Sequence, residues 1–459
     1  MAMSIGRGAS GRPARTARTT RTALTMRLIG PLLAVAVAIT ALGRFVVTRT
    51  AGGSAPASSP VATSSVDRLA QLEARVSANP DDTGAWQQLA GGYVRRAAQS
   101  GDPSLYALAD RAVENATRLA PNATATLVAT AVLQLSRHEF AAALETGSRA
   151  HASDPFSAEA LAVVVDASVE MGRYPEATAA LQVLLDLKPA VAALTRASYL
   201  RELYGDVDGA RQMMERAAVA AGQSPDDGAA VATFLGDLAL ADDDLPTAAT
   251  QYDKALRLVP GSASAAVGKA RVMMARGDTD GAAALLEATS TRSPLPAVTT
   301  LLGDARTLLG DRTAAANAYA LARANEELIR AAGGTIDLES ALFEADHGDP
   351  ATALDAARVA YDQRRTIFTA DALAWSLYRS GRAGEAILYA DEALRLGTRS
   401  VQLLLHAAIV ADANHDDVRS ADLLTRAFSR SPWPVLNLRA DAVDLAGRVG
   451  VSVPQGWRS

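Results

Sequence analysis

The chain has 459 residues, room for two or three ordinary domains or one extended repeat array. Aromatic residues are only 5 % of it, and Val, Ile, Thr and Tyr never gather into alternating runs, which excludes a predominantly β protein and points to close-packed helices. Cysteine is absent, excluding disulfides, thiolate metal sites, a cysteine nucleophile and a lipid-bearing cysteine, and the net charge of −5 hides an acidic body, since the first 50 residues hold eight arginines and no acids.

Removing those arginines leaves 37 basic residues against 50 acidic ones, a net of about −13, which argues against nucleic acid as a partner. Arg7, Arg12, Arg15, Arg18, Arg21 and Arg27 precede an apolar run from Leu28 to Gly43, which Arg44 interrupts before Phe45-Val46-Val47. With its continuation the run is about 20 residues long, enough for a helix that spans a bilayer. The arginine bias predicts a cytoplasmic N-terminus over 1–27, a transmembrane signal anchor over 28–48 and a body outside the cytoplasm. The protein is thus expected in the cell membrane as a single-pass protein, with the membrane itself a partner through this helix. Secretion after cleavage of a signal peptide is the alternative, since small residues follow at Ala55-Pro56-Ala57. Residues 49–65 are small, polar and proline-bearing, and read as a flexible linker.

Beyond the linker, residues 66–432 are expected to form a repeat array and residues 433–459 a capping segment. Leu69–Ala78 reads as a cap at the front. Pro121, Pro155 and Pro189 are spaced by 34 residues, as are Pro260 and Pro294. Placing each proline at position 32 of a unit puts Ala143, Ala177, Ala248 and Ala282 together at position 20. The first unit offers Trp86, Leu89, Ala90 and Tyr93. The fifth carries Leu235, Gly236, Ala248, Tyr252, Ala255 and Pro260, the seventh Leu302, Gly303, Gly310, Ala315 and Tyr319, and the ninth Leu373, Ala374, Gly381, Ala386 and Ala393.

This pattern resembles the tetratricopeptide repeat, and about ten candidate units fit over 83–432. The resemblance implies an all-α fold of tandem helix-turn-helix repeats, stacked into a right-handed superhelical solenoid whose concave face holds peptides or partner domains. Units four, eight and ten are weak matches, because Arg201, Ser340 and Ser420 stand where other residue types are expected. Two breaks interrupt the pattern, one where the second helix of unit seven runs on through Leu321–Ala332, the other in the extra residues before Pro225. The tail Val435–Val449 reads as a capping helix.

In the family the first helix of each unit turns positions 2, 5, 9, 12 and 13 to the concave side. In units three to five this selects Glu159, Asp166, Glu170, Tyr199, Glu202 and Asp237, an acidic set suited to a basic protein or peptide ligand. Arg196 and Arg201 lie nearby but are expected to point elsewhere. The lysine and asparagine with which one family subtype grips terminal carboxylates are absent from the first four units.

The sequence holds no nucleophile elbow, no phosphate-binding glycine loop and no HExxH. No cofactor and no catalytic function are expected, and the whole reads as a scaffold or assembly factor. The alternative is a metal-dependent hydrolase using Glu344, Asp346, His347 and Asp349. In the repeat register that cluster falls at an inter-helix turn, with Asp349 as a helix cap.

Overall fold

In the computed structural model, which describes residues 65–334 and 338–458, every regular element is helical. A leading helix, Ser65–Ala78, is followed by ten antiparallel helix pairs. Pairs 1 to 3 are Thr83–Ser100 with Ser104–Leu119, Thr124–Ser136 with Phe140–Ser153, and Ala158–Glu170 with Tyr174–Leu187. Pairs 4 to 6 are Val191–Leu203 with Val207–Ala221, Pro225–Ala241 with Leu245–Leu258, and Ala263–Ala275 with Thr279–Ser290. Pairs 7 to 10 are Pro296–Leu308 with Arg312–Ala331, Leu338–His347 with Pro350–Gln363, Ile367–Arg379 with Ala383–Ala393, and Val401–Ala413 with Asp417–Phe428. The chain is an all-α solenoid of tandem helix pairs of the tetratricopeptide type.

Local chemistry sets these boundaries. Short polar side chains accept the first free amides: Ser157 from Ala160, Asp206 from Gly209, Asp244 from Thr247 and Ser400 from Leu403. The extra residues before unit five extend its first helix, which opens at Pro225 behind the Ser224 cap. Between the paired helices of every pair but the eighth, one residue adopts a left-handed conformation. Gly172 and Gly205 take it at φ 70° and 75°, while pairs 2, 5 and 10 place His138, Asp243 and His415 there at φ 63°, 60° and 61°.

Packing within a pair follows the repeat. Ala143, Ala177, Ala248 and Ala282 are fully buried, as small residues that let packed helices approach each other. Tyr252 packs on the Cβ-less face of Gly236, where a methyl would lie 2.7 Å from its ring. The weak units satisfy their polar substitutes individually. Ser420 donates to the Ala408 carbonyl at 3.0 Å. Ser340 donates to Glu326 at 2.6 Å and accepts from Arg330, and Arg201 pairs with Asp206.

The array then coils back on itself. The turn inside each early pair meets the connection that follows the pair five places later. Ser293 donates to the Gln99 carbonyl at 3.1 Å, Arg364 to Glu170 at 2.7 Å, and the Ile367 amide to the Tyr174 hydroxyl at 3.0 Å. Gly205 lies against the Gly397 carbonyl, Arg430 bonds Asp242, and Ser431 bonds Asp243 and the Ala241 carbonyl. The hydrogen-bonded partners are 188 to 194 residues apart. Successive superhelical turns therefore share a seam. At the far end a 3₁₀ turn, Trp433–Leu438, leads into the helix Arg439–Val449, and buried Trp457 packs on Phe428 and donates its indole N–H to the Arg430 carbonyl.

The membrane reading is corrected. Among the described residues no helix is long and apolar enough to cross a membrane. The longest, Arg312–Ala331, carries Arg323, Glu326, Glu327 and Arg330 on a helix apolar along one stripe only. The expected cytoplasmic segment 1–27, the anchor 28–48 and residues 49–64 of the linker lie outside the described residues. Membrane attachment through a helix and single-pass placement therefore have no support among the described residues.

Candidate functional site

The six groove residues read from the repeat register separate into two groups. Asp166, at the centre of pair 3, is almost enclosed and receives a two-point bond from Arg196, whose Nε lies 2.7 Å from Oδ1 and whose Nη2 lies 2.5 Å from Oδ2. Arg196, expected to point elsewhere, turns into the neighbouring first helix and neutralises it. Burial nevertheless raises the Asp166 carboxyl above its ordinary range, against the pull of Arg196. Glu170 is engaged by Arg364 across the seam, and Glu159 lies 3.5 Å from Lys188 at the outer edge.

Tyr199, Glu202 and Asp237 converge instead. Together with Ser198, Phe234, Phe368, Thr398 and Ser400 they line one cleft. Its near wall comes from the first helices of pairs 4 and 5. Its far wall comes from Phe368 of pair 9 and the connection before pair 10, so the cleft spans two superhelical turns. Asp237 accepts the Tyr252 hydroxyl at 2.7 Å, which fixes its carboxylate at the cleft edge. Burial, then the charges of Glu170 and Glu202, raise the Tyr199 phenol well above its usual value and keep it neutral. The cleft thus combines aromatic faces, carboxylates and hydroxyls. Phe368 occupies position 2 of its unit, a groove position, so extending the same register to pair 9 would have found it. That it faces Tyr199 has no local signal.

The four residues of the hydrolase alternative are each held by a different contact. Glu344 is bonded by Arg323 at 2.7 Å and by the Asp349 amide. These bonds outweigh the effect of its burial and lower its carboxyl below the ordinary value. Asp349 caps the second helix of pair 8 through the Thr352 amide. Asp346 accepts the buried Trp375 indole at 2.8 Å, and His347 stacks on Tyr319 with Nε2 3.5 Å from Asp304. Among the described residues no group of three or more His, Asp and Glu side chains is placed to hold a metal ion. These side chains belong to the helical framework.

Part of the chain also matches a known repeat family. A family profile described as tetratricopeptide repeat matches residues 239–305, from the end of the first helix of pair 5 into the first helix of pair 7. No curated protein matches the chain in sequence. Among solved structures it is similar to the human IFIT1 dimer with m7Gppp-AAAA, at 12 % identity over 72 % of this chain and 76 % of that one, with a TM-score of 0.45. It is also similar to the APC/C hetero-tetramer Cut9-Hcn1, at 13 % identity over 84 % and 90 % with a TM-score of 0.37. Yeast Tom70 is similar at 13 % identity over 80 % and 95 % with a TM-score of 0.35. At such identities and scores, what those proteins bind says nothing of what this chain binds.

Proposed function

We propose that this chain is a protein-interaction scaffold whose cleft between pairs 4, 5 and 9 receives a basic segment of a partner protein. The observation that carries the reading is the convergence of Tyr199, Glu202 and Asp237 opposite Phe368. An arginine or lysine side chain entering there would meet carboxylates and an aromatic face together. A cation over an aromatic face is worth about 0.5–2 kcal/mol, depending on desolvation. Glu159, Asp166 and Glu170 are paired with Lys188, Arg196 and Arg364.

The test uses labelled hexa-arginine and hexa-glutamate peptides, titrated by fluorescence anisotropy across a salt series. Hexa-arginine should bind, weakening as ionic strength rises, and hexa-glutamate should not. Glu202→Gln should weaken binding and flatten its salt dependence, and Phe368→Ala should weaken it without changing the salt response. If Glu202→Gln binds hexa-arginine with unchanged affinity and unchanged salt dependence, the cleft is not the receiving surface.

A further inference from the structure

The seam between superhelical turns carries a buried arginine at three successive stations, after pairs 8, 9 and 10: Arg364, Arg399 and Arg430, exposed by 5 %, 4 % and 6 % respectively. Each sits beside the turn of the pair five places earlier. At the first station Arg364 meets Glu170, the last residue of its helix, and at the third Arg430 meets Asp242, which closes the corresponding helix of pair 5. At the second station the equivalent residues of pair 4 are Leu203 and Tyr204, and neither can take a proton-donating fork. Arg399 Nη2 is buried there and has no hydrogen-bond partner among the described residues.

Its surroundings add positive charge. Burial, then the neighbouring Arg430 and Arg426, bring the Arg399 guanidinium down to about 10, with Asp242 and Asp208 acting in the opposite sense. Asp242 is already shared by Arg430 and Arg211, and Asp208 is largely exposed. A guanidinium donor such as Nη2, enclosed without an acceptor, is costly, because it has lost its water and gained nothing in exchange. At the two flanking stations a carboxylate takes Nη1 of Arg364 and of Arg430, although Arg430 Nε is buried without a hydrogen-bond partner as Arg399 Nη2 is.

We propose that the middle station of the seam is a binding site for a small oxyanion, phosphate or a carboxylate, held by the donors of Arg399 beside the turn of pair 4. The bound anion would complete the row of ion pairs and fasten the connection before pair 10 to the turn of pair 4. The site is separate from the cleft, whose lining takes Thr398 and Ser400 from either side of Arg399.

The experiment is calorimetric titration of the full chain with inorganic phosphate and with acetate, at ionic strength matched with chloride, alongside amide hydrogen exchange. Saturable binding of either anion is expected, with slowed exchange at residues 204–206 and 397–400. A response to phosphate alone identifies a free inorganic ion as the fitting source, and a response to acetate a carboxylate group. Arg399→Gln should lower the affinity about tenfold or more, the order expected for loss of a charge-assisted, two-point contact. Should that variant fail to fold, Arg399→Lys decides: lysine keeps the charge without the fork and should bind several-fold more weakly. The proposal is overturned if the wild-type chain binds neither anion saturably, or if the folded variant binds with unchanged affinity.

Discussion

The seam can be broken at one ion pair. Arg364→Met keeps length and apolar bulk but removes the guanidinium that bonds Glu170 at 2.7 Å and lies 4.7 Å from the Phe140 ring centre. The two charged side chains are 4 % and 14 % exposed, so the Glu170 carboxylate would be left with little water in compensation. Removing one partner of a fully buried pair costs about 3–5 kcal/mol. Partial access for Glu170 reduces this, the lost cation–π contact adds about 0.5–1 kcal/mol, and a net loss of about 2–4 kcal/mol is expected. Glu170→Gln should cost less, and the double variant should recover part of the sum, giving a coupling of about 1–3 kcal/mol in a double-mutant cycle. Urea unfolding followed by circular dichroism supplies the free energies, with the departure from two-state behaviour expected of repeat arrays checked by a second probe. Hydrogen exchange should quicken first at residues 171–173 and 364–367, before the helices themselves. Additive single changes, or seam amides that exchange no faster than in the wild type, would refute the claim that this pair holds the turns together.

Two further outcomes follow from the packing and the buried charge. Ala248→Leu should lower stability by about 1–3 kcal/mol in chemical unfolding, because Ala248 is fully buried in the packing of pair 5 and a larger side chain would overpack it. An unchanged midpoint would mean that the contact is looser than its burial indicates. Glu326 is raised above its ordinary value of 4.5 by burial, against the pull of Ser340 and Arg330. A raised folded value stabilises the fold below the unfolded value of about 4.5 and loses that contribution as pH rises through the folded value. Wild type should therefore gain stability relative to Glu326→Gln as pH falls from neutral toward 4.5, measured as paired thermal midpoints. A difference that stays constant over that range would contradict the assigned burial.

The helix-pair repeat was legible in the sequence because its contacts are local. Ala143, Ala177, Ala248 and Ala282 each face a helix about a dozen residues away in the same unit, so the 34-residue period records the packing directly. Caps such as Ser157 and Asp244 are more local still. Helical phase selects the side chains of one face, but it does not tell what a side chain meets. Asp166 was read as a groove charge, and Arg196 from the next first helix encloses it.

Beyond the unit, only the tertiary structure decides. Each pair is rotated slightly against the one before, and the sum of many small rotations determines which residues come together after five pairs. No single repeat encodes that sum, so Glu170 with Arg364, Asp242 with Arg430 and Phe368 opposite Tyr199 leave no trace at the 34-residue period. The sequence by itself determined the helices, their pairing and the small residues between them, because those depend on neighbours within reach of one turn or one hairpin. The seam, the two-turn cleft and the enclosed Arg399 arise where residues nearly 200 positions apart meet, and curvature alone brings them there.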